Sequence, residues 1–371
     1  MAALFPLDSS SPAIPPTFNF SPAALNQAAT LPACFLWPVS ECPRPEHARF
    51  AEDDEVPTVD LAGFWQGDDE GIGIAVEKIQ KACTGLGVFQ IINHGVDLDV
   101  LKRVHNEASR LFNLPLDQKQ RGARVSGDSF GFTNSFIGRY ASNLPWKETL
   151  SLQITPSSNV ETYLQKIYGD EDNHACSTFK KYGSDMEKLA LELMELLALS
   201  LELPRDRLKK IFKKNFSILR ANYFPPSKHN SQTLGIGPHT DPISLTILHQ
   251  DNVPGLQIHK EDTWITVKPN VNAFVINIGD IFQVLSNDRY KSMEHRVVNS
   301  LHERKSFAYF FSPTFEALVV PLPEFVDLEN PCRYKEFTWA QYLTFTQKHY
   351  RSDTNTLLAF QDYLALNDPP E

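Results

Sequence analysis

The chain has 371 residues, 42% of them hydrophobic, enough for one large core with a helical partner region or for two closely packed domains. A formal net charge of −10 without any Lys/Arg-rich run argues against a general nucleic-acid binder, and no apolar run approaches the roughly 18 residues of a membrane-spanning helix. The five cysteines are scattered, odd in number and never spaced C-x-x-C, which favours free thiols in a reducing compartment. The opening MAALFPLDSS lacks the basic and apolar regions of a signal peptide, so a cytoplasmic location is expected.

Residues 1–55 hold nine of the 26 prolines. Such a segment lacks donors for helix or sheet, so it is expected to run extended or disordered, with Phe35, Leu36 and Trp37 pinning its end to the body. From Val56 the pattern becomes globular. VPTVDL (56–61) and GVFQII (87–92) read as strands, and Ile74, Ile79, Ala82 and Cys83 fit one face of a helix between them. The steps of three and four from Leu98 to Phe112 predict a second helix over 98–113, and 176–203 is the longest helical pattern.

After Phe216 the chain changes character. ILRANYF (218–224), SLTILHQ (244–250), GLQIH (255–259), WITVK (264–268), AFVINI (273–278), HRVVN (295–299) and SFAYFF (306–311) are short, β-rich and separated by turn residues. Many short strands at such intervals imply a sandwich or barrel, a double-sheet jelly roll being one standard solution. A final helix over 339–350 would start behind Thr338 as N-cap. The expected organisation is a Pro-rich segment (1–55), a mixed helical region (56–215), a β-core (216–314) and a helical tail (315–371), giving a mixed α/β chain with a β-rich core.

Among eleven histidines, spacing has to select. His239-Thr240-Asp241 offers an imidazole and a carboxylate on one side of an extended chain, and His295 heads another predicted strand. Two histidines and one carboxylate on one face leave open positions on iron(II). His249-Gln250-Asp251 matches the same H-x-D expression and His302 rivals His295, but Pro238 and Pro242 bracket the first set rigidly. Arg304 and Ser306 share a strand face, where a guanidinium fork and a hydroxyl suit a carboxylate.

Asn222-Tyr223-Phe224-Pro225-Pro226, His239-x-Asp241, Asn277-Ile278-Gly279-Asp280, His295-Arg296 and Arg304-x-Ser306, with GVFQIINHGV (87–96), resemble the plant-type 2-oxoglutarate-dependent dioxygenases over residues 35–365. The resemblance implies iron(II) at His239, Asp241 and His295, and 2-oxoglutarate at Arg304, Ser306 and Tyr223. It also implies O₂ as co-substrate, ascorbate as reductant and a double-stranded β-helix flanked by helices. LPWKETLS (144–151) and FTWAQYLTFTQKHYRSDTNTL (337–357) are similar to the gibberellin 20-oxidases, which implies a diterpenoid carboxylate oxidised at carbon 20. Trp146 and Lys147 are then expected to supply an apolar wall and a cation for it.

Three departures from the subgroup matter: Ser227 and Thr240 stand where cysteines are usual, and the His295-to-Arg304 interval is nine residues where ten is usual. A residue missing from the turn near 300–303 leaves the site intact, whereas one missing within a strand flips a side chain to the wrong face. The alternatives are an oxygenase acting on another gibberellin carbon or a phenolic, and a pseudo-enzyme that binds without turnover.

Overall fold

The computed structural model describes residues 20–43, 48–125, 129–135, 143–169, 173–349 and 355–367. In chain order the strands of the two large sheets are β1 (Ala48–Phe50), β2 (Thr58–Asp60), β3 (Val88–Ile92), β4 (Gly131–Asn134), β5 (Glu148–Thr155), β6 (Asn215–Phe224), β7 (Leu234–His239), β8 (Leu245–Gln250), β9 (Leu256–Lys260), β10 (Thr263–Thr266), β11 (Phe274–Ile278), β12 (His295–Val298) and β13 (Arg304–Pro313). The helices used below are α1 (Pro22–Gln27), α2 (Asp69–Thr84), α3 (Leu98–Phe112), α4 (Asn173–Ser200) and α5 (Trp339–His349).

The strands form an eight-stranded sheet, β2-β3-β11-β8-β13-β6-β5-β4, facing a five-stranded one, β1-β10-β9-β12-β7. This is the expected sandwich of mainly antiparallel strands. Its longest pairing, β6 with β13, runs in continuous register from Phe224↔Arg304 to Asn215↔Pro313. Alternation along β13 sets the two faces of the large sheet. Arg304, Ser306, Ala308 and Phe310 line the space between the sheets. Phe307, Tyr309 and Phe311 are buried in the main core, where Phe307 meets Phe179 and Tyr182 of α4 at ring distances of 6.3 and 5.7 Å. Truncating Phe307 to Ala would cost about 3–5 kcal/mol through lost burial and the cavity left behind.

Helix starts follow ordinary capping chemistry. Asp68 accepts from the backbone N–H of Glu70 and Gly71 ahead of α2, and Asp97 from Asp99 ahead of α3. Thr338 Oγ1 accepts from the Gln341 N–H while Gln341 Oε1 accepts from the Thr338 N–H, a reciprocal cap that starts α5 where the threonine predicted it. Met186, Leu189, Leu193, Leu196 and Leu197 are buried as their spacing predicts, whereas Ile74 is 52% exposed and the buried face of α2 runs through Ala75, Ile79, Ala82 and Cys83 instead.

One strand went unlisted in the sequence pattern, and one reading needed revision. LGIGPH gives β7 despite two glycines and a proline, because pairing with β12 overrides its poor intrinsic preference. Of the Pro-rich segment, residues 1–19 and 44–47 lie outside the described residues, but 20–43 is neither extended throughout nor detached. It forms α1 and a short 3₁₀ turn at Ala33–Phe35, and buries Phe20, Leu25, Leu31, Phe35 and Trp37 against the body. Apolar side chains between the prolines supply that docking energy, roughly 1.5–3 kcal/mol for each large residue fully buried. No helix among the described residues is long and apolar enough to cross a membrane.

Candidate active site

The small sheet brings the metal-type residues together. β7 and β12 pair antiparallel with His239 opposite His295, and Asp241 follows two residues beyond the end of β7. One ligand atom from each of the three lies within 4.8 Å of the others. Each histidine Nε2 is 3.7 Å from an Asp241 carboxylate oxygen, His239 from Oδ1 and His295 from Oδ2.

The surroundings prepare these groups as ligands. His239 Nδ1 donates to Gly237 O at 2.9 Å and His295 Nδ1 to Met293 O at 3.1 Å, which leaves both Nε2 lone pairs aimed at the shared point. Thr246 Oγ1 donates to Asp241 Oδ2 at 2.6 Å. Burial, reinforced by the neighbouring His295, pushes His239 down to about 4, so its imidazole is neutral near pH 7. Burial tends to raise Asp241, but the two histidines and the Thr246 bond outweigh it and hold the carboxyl below its ordinary value.

The Asn277–Asp280 motif locks the backbone behind this loop. A side chain on Gly279 would place its Cβ 2.1 Å from Ile243 O, so only glycine lets the chains approach. The Asp280 N–H then donates to Asp241 O at 2.9 Å, and its carboxylate accepts from Thr240 at 3.0 Å and from Tyr342 of α5 at 2.6 Å.

Arg304 and Ser306 lie across the same cavity, whose volume is about 650 Å³. The short interval from His295 falls between the end of β12 at Val298 and the start of β13 at Arg304, so the turn absorbs it and neither strand flips. That removes the structural motive for the pseudo-enzyme alternative. Arg304 Nε donates to Val253 O at 3.2 Å and Nη2 to Gln250 Oε1 at 2.8 Å, while buried Nη1 has no hydrogen-bond partner among the described residues. A buried guanidinium on a cavity wall can donate from Nη1 to a carboxylate bound there.

Two expected placements differ. Tyr223 points away from the cavity: its ring stacks on Phe112 at 5.4 Å and its hydroxyl donates to Glu303 at 3.3 Å. Strand alternation gives the cavity face to Ile218, Arg220, Asn222 and Phe224 instead. Asn222, in register with Ser306 and 3.4 Å from its hydroxyl, is the polar group that the motif hid one position before the tyrosine. Trp146 also leaves the cavity. It sits fully buried between Phe20 and Phe35, at ring distances of 5.1 and 5.8 Å, and donates from Nε1 to Pro225 O.

Lys147 does line the cavity, but Nζ lies 3.3 Å from Asn222 Oδ1 and so joins the Arg304–Ser306 group. Burial and the positive charges of Arg220, Arg124 and Arg304 push its ammonium well below the ordinary value, a strain that a bound anion would relieve. The rival metal pair is accounted for separately. His249 Nδ1 is 2.7 Å from His105 Nε2 and its Nε2 donates to Val271 O, while Asp251 accepts from the backbone of Lys305 and Val253. His302 is exposed on the turn.

Residues 215–313 match the model of the 2OG-Fe(II) oxygenase superfamily, and residues 56–171 match that of the non-haem dioxygenase in morphine synthesis N-terminal region. The chain is 44% identical over 355 residues to gibberellin 20 oxidase 1-D of Triticum aestivum, covering 95% of this chain and 98% of that one. The chain belongs to the 2OG-Fe(II) oxygenase superfamily. It is likewise 45% identical to gibberellin 20 oxidase 1 of Arabidopsis thaliana over 350 residues, 93% of this chain and 92% of that one. Among solved structures, JOX2 in complex with 2OG, Fe and JA superposes with a TM-score of 0.77 at 30% identity, covering 94% of this chain and 97% of that one. The protein is an iron(II)- and 2-oxoglutarate-dependent dioxygenase, and the His239, Asp241, His295 cluster is the iron-binding triad of that family.

Proposed function

We propose that this dioxygenase oxidises carbon 20 of gibberellin precursors, with ascorbate as reductant. The observation that carries the substrate is the near full-length identity, above 40%, to gibberellin 20 oxidases of wheat and Arabidopsis. When bound, iron(II), 2-oxoglutarate and O₂ together supply an oxidant able to remove hydrogen from an unactivated carbon.

The chain's own residues do the rest. His239, Asp241 and His295 would hold the metal through two neutral imidazoles and a carboxylate, a donor set suited to iron(II). Arg304 Nη1 and the Ser306 hydroxyl would take one carboxylate of 2-oxoglutarate, with Asn222 and Lys147 on the same side. Arg220 and Arg304 place positive charge on the wall of this cavity, which favours a dianionic co-substrate. Ile218, Ile243, Leu248, Leu256 and Val297 line it with apolar surface for the hydrocarbon cage and keep water from the reacting carbon.

Purified protein with iron(II), ascorbate and 2-oxoglutarate, offered a panel of gibberellin precursors, should give products oxidised at carbon 20 by mass spectrometry. Coupled turnover of another small molecule, with every precursor untouched, would overturn the substrate and leave the oxygenase.

A further inference from the structure

Trp37, Pro38 and Glu41 line the same cavity as His239 and His295, although both family-model matches begin beyond them, at residues 56 and 215. From this we propose that residues 31–43 form a substrate-specificity wall beside the metal-ligand residues His239 and His295, and that Trp146 positions this wall without touching substrate.

The wall is built into the sheet. Trp37 is 7% exposed, and its ring occupies the place a side chain at residue 237 would need: a Cβ on Gly237 would lie 2.2 Å from the indole. Gly237 stands two residues before His239 and accepts from its Nδ1, so the indole rests against the strand that carries a metal ligand. The Trp37 N–H donates to Gln232 O at 3.1 Å and its Nε1 to Leu144 O at 3.4 Å. Farther along, Arg296, whose guanidinium stacks 3.9 Å from the Trp264 ring, donates from Nη1 to Glu41 O at 2.6 Å. A polar clamp at one end and an indole seat at the other hold the segment at the cavity rim.

Trp146 secures the segment from behind. Its ring meets Phe20 edge-on and Phe35 at a steep angle, within a cluster completed by Leu25, Leu31 and Leu144. Its backbone N–H donates to Leu234 O at 2.8 Å, and Leu144 N–H donates to Cys34 O at 2.7 Å, so residues 144–146 bridge the arm to β7. Trp146 and Lys147 therefore serve different partners, one facing the arm and the other the cavity.

The proposal concerns the wall whatever the substrate, and rests on the gibberellin reading only for the choice of assay compound. Full-length Trp37→Ala and Trp37→Phe are compared with the parent in coupled turnover of the precursor that the panel identifies. Trp37→Ala should raise the KM for that substrate about tenfold or more and alter the ranking of precursors, while the KM for 2-oxoglutarate moves less than about twofold. Trp37→Phe should recover part of the loss. Hydrogen exchange then tests Trp146. Trp146→Ala should speed amide exchange across 31–43 while exchange in β6 and β13 stays at parent level, and Trp146→Phe should restore protection. If Trp146→Ala does not fold, Phe20→Ala carries the same test from the other side of the ring pair. Unchanged substrate KM and ranking in Trp37→Ala would overturn the wall, and unchanged exchange across 31–43 would overturn the positioning role. A parent inactive on every gibberellin sinks the substrate reading alone, and the same variants are then read on the compound it does oxidise.

Discussion

Exchanging Arg304 for lysine keeps the charge and removes the planar fork, which makes it the sharpest probe of the co-substrate anchor. In the structure Nε is committed to Val253 O and Nη2 to Gln250 Oε1, leaving Nη1 for a ligand. A lysine ammonium is a single point. It can satisfy Gln250 or reach a carboxylate across the cavity, but it cannot hold the three directions that the guanidinium holds together. Losing one buried charge-assisted hydrogen bond costs about 1.5–3 kcal/mol, so the KM for 2-oxoglutarate should rise roughly 10- to 150-fold. Succinate formation against 2-oxoglutarate, at saturating iron(II) and substrate, reads this directly, with a melting curve to confirm folding. Ser306→Ala should act more mildly, about fivefold, because it removes one neutral hydroxyl. If Arg304→Lys stays within threefold of the parent at limiting 2-oxoglutarate, the anchor lies elsewhere.

Three further outcomes follow from the same geometry. Asp241→Ala should abolish turnover and iron retention, whereas Asp251→Ala should leave one iron per chain; equal loss of metal in both, read by metal analysis, would refute the ligand assignment. Tyr223→Phe should change the KM for 2-oxoglutarate by less than about twofold, since its hydroxyl serves Glu303 on the outer face; a tenfold rise would mean the strand faces are misassigned. Burial, then the neighbouring His249, pushes His94 down to about 4 and His105 to about 3. The unfolded chain therefore takes up protons first, so this stability is complete above about pH 6.5 and falls as pH drops toward those values, by about 2 kcal/mol per histidine at pH 5. Urea unfolding from pH 7.5 to 5 should show that slope, and His105→Asn should reduce it by about one proton; an unchanged slope would refute the assignment.

Much of the site was legible in the chain because its signals are local. An i, i+2 pair on extended backbone needs no tertiary information to face one way, so Arg304 with Ser306 on β13, and His239 with Asp241 at and just past the end of β7, could be read directly. Capping chemistry at Thr338 and the apolar stripe through Met186–Leu197 are local in the same sense. Alternation would also have placed Asn222, not Tyr223, beside Ser306, but only once the inward face of β6 was known, and that depends on its register with β13.

What the tertiary structure decided is non-local. The choice of His295 over His302 rests on β12 pairing with β7, and the harmlessness of the nine-residue interval rests on where the turn falls. β7 itself, with its glycines, reads as a poor strand until its partner and the Trp37 ring explain them. Trp146 and Lys147 are adjacent in sequence and take opposite directions, one to bind the arm and one to face the cavity. Residue type and spacing state which groups can meet an ion or a carboxylate; only packing between distant segments states which side of the wall each one stands on.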